Sequence, residues 1–133
     1  MKIRNYRKED YPIILSWWMN TEETLPSANL IPLESSFIVE NDDEIPLLAV
    51  SLYLTNTNEM CYVQNFIGNP NFKGPIRKQA GELLQKHIEQ FAKELNIKRL
   101  ICYTYKDKIK DRYKELGYQP TYDNITSFVK EIL

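Results

Sequence analysis

The stretch from Cys61 to Leu95 (CYVQNFIGNPNFKGPIRKQAGELLQKHIEQFAKEL) constrains the fold more than any other part of the chain. It opens with an apolar run and breaks at Gly68, Pro70, Gly74 and Pro75. It then continues with Ile76, Ala80, Leu84, Ile88, Phe91 and Leu95 along one helical stripe. A strand that passes through such a break into a helix leaves amide N–H groups at the helix head without carbonyl partners. That head is a ready site for an anion. Pro75 suits the first helical position because it has no N–H to leave unpaired, and Asn96 ends the helix.

The flanking segments read as sheet. Ile97 to Thr104 predicts a strand whose core, Leu100 to Tyr103, is apolar on both sides. Strand, helix, strand in that order implies a parallel, right-handed crossover. Upstream, Lys2 to Tyr6 reads as a first strand, and Asp10 as the N-cap of a helix with Pro12 in its first turn. Tyr11, Ile14, Leu15 and Trp18 would form the buried stripe of that helix, with Ile13 and Trp17 beside it. From Asn20 to Glu34 periodicity fails, and a loop or short irregular helix is expected.

Ser36 to Glu40, Ile45 to Leu54 and Met60 to Ile67 then predict an antiparallel meander, with polar turns at Asn41 to Glu44 and Asn56 to Asn58. Strict alternation in the last strand puts Tyr62, Gln64 and Phe66 on one face and Cys61, Val63, Asn65 and Ile67 on the other. Lys106 to Leu116 reads as a charged helix closed by Gly117. Tyr118 to Tyr122 and Ile125 to Ile132 read as final strands around Asp123 and Asn124. The sum is an α/β (α+β) fold in a single domain, residues 1–133, with one mixed, mostly antiparallel sheet.

Composition narrows the function. Seventeen basic and eighteen acidic residues give a formal charge of −1, so no global positive field draws the chain to nucleic acid. The lysines at 106, 108, 110 and 114, with Tyr105 and Tyr113, are interleaved with Asp107, Asp111 and Glu115, which suits a solvated helix face. No apolar run reaches the roughly 18 to 20 residues that span a bilayer, and the first residues lack a signal-peptide core, so a cytoplasmic location is expected. Cys61 and Cys102 sit in apolar runs and are expected as free thiols. With one histidine the chain has no evident metal-ligand cluster.

This order of elements resembles the Gcn5-related N-acetyltransferase (GNAT) family over nearly the whole chain, and is most similar to its small, divergent phage-type members. Pro70-Asn71-Phe72-Lys73-Gly74 is similar to the family's Pro-x-Tyr-Arg-Gly, and Tyr113-Lys114-Glu115-Leu116-Gly117-Tyr118 to its Tyr-x-x-x-Gly-Phe. The resemblance implies a sheet splayed between its two parallel central strands, and an acyltransferase that moves an acetyl group from acetyl-CoA to a small-molecule or peptide amine. It also implies helices on both faces of that sheet, while composition and charge point to no metal, nucleic-acid or membrane partner. Backbone groups near Phe66, Ile67 and Gly68 would then pair with the pantetheine arm. Lys73, Gly74, Ile76, Arg77 and Lys78 would form the phosphate-binding end. Edge strands left open in such a sheet leave room for a homodimer.

The pattern also departs from the family. Ile76 stands where a second glycine is usual, and Pro75 removes a donor N–H. Lys106 replaces a frequent asparagine. By the resemblance Tyr113 is the acid that protonates the departing thiolate. Gln64 stands where the family often carries a glutamate base, and an amide cannot take the proton. Glu59, or a water chain ordered by Gln64 and Tyr62, would have to serve. Trp17, Leu25 and the loop around it, and Tyr62 would wall the acceptor pocket. The alternative is a non-catalytic GNAT-like binding or interaction module that has lost the full phosphate cradle. His87 fits a packing role at the edge of the long helix's stripe.

Overall fold

The computed structural model describes residues 1–104, 106–122 and 125–132. Its strands are β1 (Lys2–Asn5), β2 (Ser36–Glu40), β3 (Pro46–Leu54), β4 (Cys61–Gly68) and β5 (Leu100–Ile101). Its α-helices are α1 (Tyr11–Trp18), α2 (Pro75–Glu94) and α3 (Asp107–Glu115). Two compact units are present, Met1–Tyr103 and Thr104–Leu133.

The first unit holds all five described strands in the order β1-β2-β3-β4-β5. The first four are antiparallel neighbours, and β4 and β5 are parallel. Each face of the sheet carries a core. On one side Val39, Leu48, Val50, Leu52, Cys61 and Val63 meet Ala80, Leu84 and Ile88 of α2. On the other, Ile38 and Ala49 meet Ile14, Trp17 and Trp18 of α1, together with Leu25 and Ile31 from the following loop. Helices on both faces of a mixed, mostly antiparallel sheet are therefore what the chain builds. Within the first unit the parallel pair lies at the sheet edge rather than in its centre.

Several local expectations change. Trp17 is core, whereas Tyr11 and Leu15 are only half-buried and Ile13 is exposed. Asp10 occupies the N-cap position of α1 but makes no side-chain cap bond. Its carboxylate instead accepts both Arg4 Nη groups at 2.8 Å and the Arg7 amide at 2.7 Å. The Arg4 Nε bonds Glu40, so one guanidinium ties β1 to β2 and to the start of α1. Burial pushes the Asp10 carboxyl up, but the Arg4 and Arg7 hydrogen bonds and charges outweigh it and hold the group below its ordinary value.

The loop before β2 holds two single-turn 3-10 helices, Ala28–Leu30 and Leu33–Ser35. Within α2, Gly81, Gln85 and Ala92 share the buried side with Ala80, Leu84 and Ile88, and Leu95 is exposed. Asn96 does end the helix, in the left-handed region at φ 58°, where asparagine is tolerated. His87 packs edge-on against Phe37 with ring centroids 4.6 Å apart.

The second unit contains α3, with a Lys110–Asp107 ion pair at 3.6 Å and Arg112–Glu115 at 3.1 Å along its exposed face. Gly117 at φ 95° closes it, the Tyr118 amide donates to Tyr113 O at 3.0 Å, and the two tyrosine rings meet edge to face at 5.2 Å. Among the described residues from Tyr118 to Ile132 no strand forms, contrary to the alternation in the sequence, and Tyr122, Phe128, Val129 and Ile132 are exposed. The expected turn at Asp123 and Asn124, and Tyr105, lie outside the described residues.

Candidate active site

β4 carries one residue too many for its partner. Its register with β3 runs Leu54↔Cys61, Tyr53↔Tyr62, Leu52↔Val63 and Ser51↔Gln64, then resumes at Ala49↔Ile67 and Leu48↔Gly68. The extra residue is a β-bulge at Asn65 and Phe66, with Asn65 in the left-handed region at φ 57°. Face assignments change after it. Phe66 joins Cys61 and Val63 on the α2 side, and Ile67 packs on the α1 side. Asn65 donates from Nδ2 to the Tyr53 hydroxyl at 2.8 Å. Strict alternation had placed Phe66 with Tyr62 and Gln64; the bulge is the physical reason it lies opposite.

The second feature is the parting of β4 from β5. Their ladder has two rungs, Cys61↔Leu100 and Tyr62↔Ile101, reinforced by Cys61 N to Arg99 O at 3.0 Å. From Val63 to Gly68 no described strand pairs with the outer edge of β4. The Asn69 amide donates inward to Leu47 O at 2.8 Å. Alternate strand residues turn to the same side, so Ile67 also pairs toward β3, and Phe66 and Gly68 turn their backbone groups to the opening.

At the far end of β4 lies the head of α2. Gly74, its N-cap, has φ 76° and ψ −143°, a conformation open to glycine. The first intrahelical bond is Lys78 N to Gly74 O at 3.1 Å, so helix geometry leaves the Ile76 and Arg77 amides without a helical carbonyl. The first turn has no acid, and Lys73 is exposed beside it. The Arg77 guanidinium bonds Asn69 O and lies over Gly68, while its Nε is buried with no partner among the described residues. Burial pulls this guanidinium below its usual value. An anion at the helix head would reverse that penalty.

Within the first unit the remaining expected residues are dispersed. Gln64 and Tyr62 stand on the α1 side of β4, opposite Ser51 and Tyr53. Glu59 is exposed and paired with Lys98 at 3.0 Å, just before the zipped end of the β4–β5 pair. Trp17 and Leu25 are buried, and Leu25 lines a cavity of about 10 Å³ with Tyr6, Ser51 and Asn65, room for about one water. Tyr113 is in the second unit. Cys61 and Cys102 are free thiols, and burial raises the Cys61 value. No group of metal-ligating side chains occurs among the described residues, and no described helix is long and apolar enough to cross a membrane.

Three residues of this region escaped the sequence reading: Tyr53, Asn65 and Tyr103. Tyr53 and Tyr62 are direct cross-strand partners, and the Tyr62 and Tyr103 rings lie nearly parallel, 6.1 Å between centroids at 22°. Three tyrosines thus adjoin, one on β3, one on β4 and one two residues past β5. For Asn65, the one available signal was an asparagine, a residue tolerant of positive φ, within an otherwise strand-forming run.

No protein-family profile and no curated protein matches the sequence. Solved structures do match in fold. Ard1 from Thermoplasma volcanium superposes with a TM-score of 0.76 at 16% identity, over 91% of this chain and 84% of that one. N-acetylglutamate synthase from Neisseria gonorrhoeae, complexed with coenzyme A and L-arginine, gives 0.72 at 17%, over 91% of this chain and 28% of that one. A Mycobacterium tuberculosis protein in complex with CoA gives 0.67 at 15%, over 86% and 70%. The chain has the GNAT acetyltransferase fold.

Proposed function

We propose that the chain is an N-acetyltransferase that takes acetyl-CoA and acylates an amine. The observation that carries this reading is the parting of β4 from β5 after two rungs, beside a helix head with uncovered amides. A slender pantetheine arm can replace the missing strand, pairing with the backbone of Phe66 and Gly68. The Ile76 and Arg77 amides, with Lys73 and the Arg77 guanidinium, would hold the phosphates. Two of the three fold neighbours described above contain coenzyme A, which supports the same ligand here. The residues fit the group in this gap, although Pro75 leaves one fewer donor than a full cradle.

When bound, acetyl-CoA supplies an activated acyl group as a thioester. The chain's own contribution is to orient it, to accept the amine on the α1 side of β4, and to manage one proton. Gln64 and Tyr62 can order water there, and Tyr113 is the proposed donor to the departing sulfur. The reading carries with it a cytoplasmic location and a small-molecule or peptide acceptor. Titration calorimetry with acetyl-CoA tests it. We expect micromolar-range binding, and absence of heat and of any thermal shift at millimolar ligand overturns it.

A second reading, a fold kept for binding alone, is favoured by Gln64 where a carboxylate would act as base. It predicts that no amine is acetylated even when the thioester binds.

A further inference from the structure

Resting on the transferase reading, we propose that the acceptor is an arylamine: an amine whose nitrogen is bonded directly to an aromatic ring. Two independent observations converge on this class. The first is chemical. The side chains that β3, β4 and β5 turn toward α1 are Ala49, Ser51, Tyr53, Tyr62, Gln64, Asn65, Ile67 and Ile101, placed by register and by the bulge, with Tyr103 beyond β5 stacked on Tyr62. None is a carboxylate or a histidine. Glu59, the nearest acid in sequence, is engaged by Lys98 just before the zipped end.

An alkylamine is almost wholly protonated at neutral pH, as a lysine with a value of about 10.4 is. It must lose a proton before it can attack, and none of these described side chains takes one directly at neutral pH, which leaves only water ordered by Gln64 and Tyr62. The nitrogen of an arylamine shares its lone pair with the ring and is already unprotonated at neutral pH. Such a nucleophile needs no base before attack.

The second observation is geometric. Tyr53 and Tyr62 are cross-strand partners, and Tyr103, two residues past β5, stacks on Tyr62 at the last rung before β4 and β5 part. Tyr103 is 55% exposed, and Tyr62 is half-buried next to it. Aromatic faces in offset contact bind a planar ring favourably, beyond what area burial alone gives. The bond from Asn65 to Tyr53 fixes one of the three tyrosines at the bulge, so the wall is positioned before any ligand arrives.

The reaction balances without another reagent. The nitrogen lone pair forms a bond to the thioester carbonyl carbon, and the carbon–sulfur bond breaks. The proton released by nitrogen ends on the departing thiolate. The products are an N-aryl acetamide and free coenzyme A.

The test uses two isomers, 4-methylaniline and benzylamine, which share a formula and a ring and differ in where nitrogen is attached. Acetyl-CoA binding is first measured by calorimetry, then product by mass spectrometry between about pH 6 and pH 9. We expect 4-methylaniline to be acetylated about tenfold or more faster at pH 7, with a nearly flat pH profile, and benzylamine to gain about tenfold per pH unit. Tyr103→Ser should raise KM for 4-methylaniline about fivefold with little change in kcat. The exposed Tyr103 can be changed without opening the core. Equal rates for the isomers at pH 7, or unchanged KM in Tyr103→Ser, overturn the proposal. Tight acetyl-CoA binding with turnover of benzylamine alone would remove the arylamine class and leave the transferase reading standing. Absence of acetyl-CoA binding would remove both.

Discussion

The Arg77 guanidinium fills the space that a β-carbon on Gly68 would occupy: Cζ lies 2.7 Å from that position and Nε 2.8 Å. Gly68 is therefore bare because a cation is parked on it, at the junction of β4 and the helix head. Gly68→Ala displaces only the far end of a flexible side chain, so stability should change by less than about 1 kcal/mol. If Arg77 is held there for a phosphate, acetyl-CoA affinity should fall about tenfold in Gly68→Ala, and binding should be lost in Lys73→Ala with Arg77→Ala. Calorimetry on the three proteins reads both effects. Unchanged affinity throughout would remove these residues from the cofactor site.

Tyr113→Phe should cut turnover about tenfold or more while leaving acetyl-CoA affinity nearly intact, because a phenol that protonates a leaving group acts after binding. Steady-state rates with parallel titrations separate the two. Equal activity in the variant excludes this tyrosine as the acid.

Asn65→Val should cost about 1 to 3 kcal/mol, since a β-branched residue is strained at the φ of 57° that the bulge imposes. Asn65→Gly relieves the backbone and loses only the bond to Tyr53, so its cost should be about 1 kcal/mol or less. Chemical denaturation of the two variants gives the order, and Val no worse than Gly would contradict the bulge.

Asp10→Asn should destabilise by about 2 to 3 kcal/mol, because Arg4 loses one charged partner and keeps Glu40. The folded Asp10 value lies below the unfolded one, so its contribution is present above the ordinary carboxylate range and lost as pH falls through the lowered value. Acid unfolding of wild type should therefore include a component that Asp10→Asn lacks, visible by circular dichroism.

At the other end of the pH scale, burial first and then the Asp10 charge push the Tyr6 phenol up from 10.0 to about 12. Its hydroxyl is buried without a partner among the described residues. The neutral form is thus favoured by the fold, its contribution is complete below pH 10, and it fades as pH rises toward 12. Tyr6→Phe should be neutral or stabilising at pH 7 and should weaken the alkaline loss. A large loss at pH 7 would mean that the hydroxyl has a bonding role.

The elements governed by local pattern were legible. The meander, the α2 stripe, the glycine at the helix head and the Asn96 and Gly117 terminations all follow from spacing and backbone preference. What was not legible depends on contacts distant in sequence. Asp10 looks like a cap because Ser, Thr, Asn and Asp usually are; Arg4, free to fold back from β1, outcompetes the helix amides. The Asn65 bulge cannot be read from alternation, since inserting one residue changes phase without changing composition. Residues from Tyr118 onward alternate as a strand would, but alternation states only that a segment can pair. The adjoining tyrosines required knowing which positions of β3 and β4 stand opposite each other.

The brevity of the β4–β5 ladder has a dynamic meaning. A strand laced to its sheet at two points is held largely by side-chain packing, here Leu100 and Cys102 against the α2-side core, and such a margin opens at a lower free energy than the whole unfolds. A thread-like molecule lying in the gap would supply the absent stitches along Val63 to Gly68. Occupancy and the rigidity of that margin would then be one event, and the protein would stiffen where it holds its cargo.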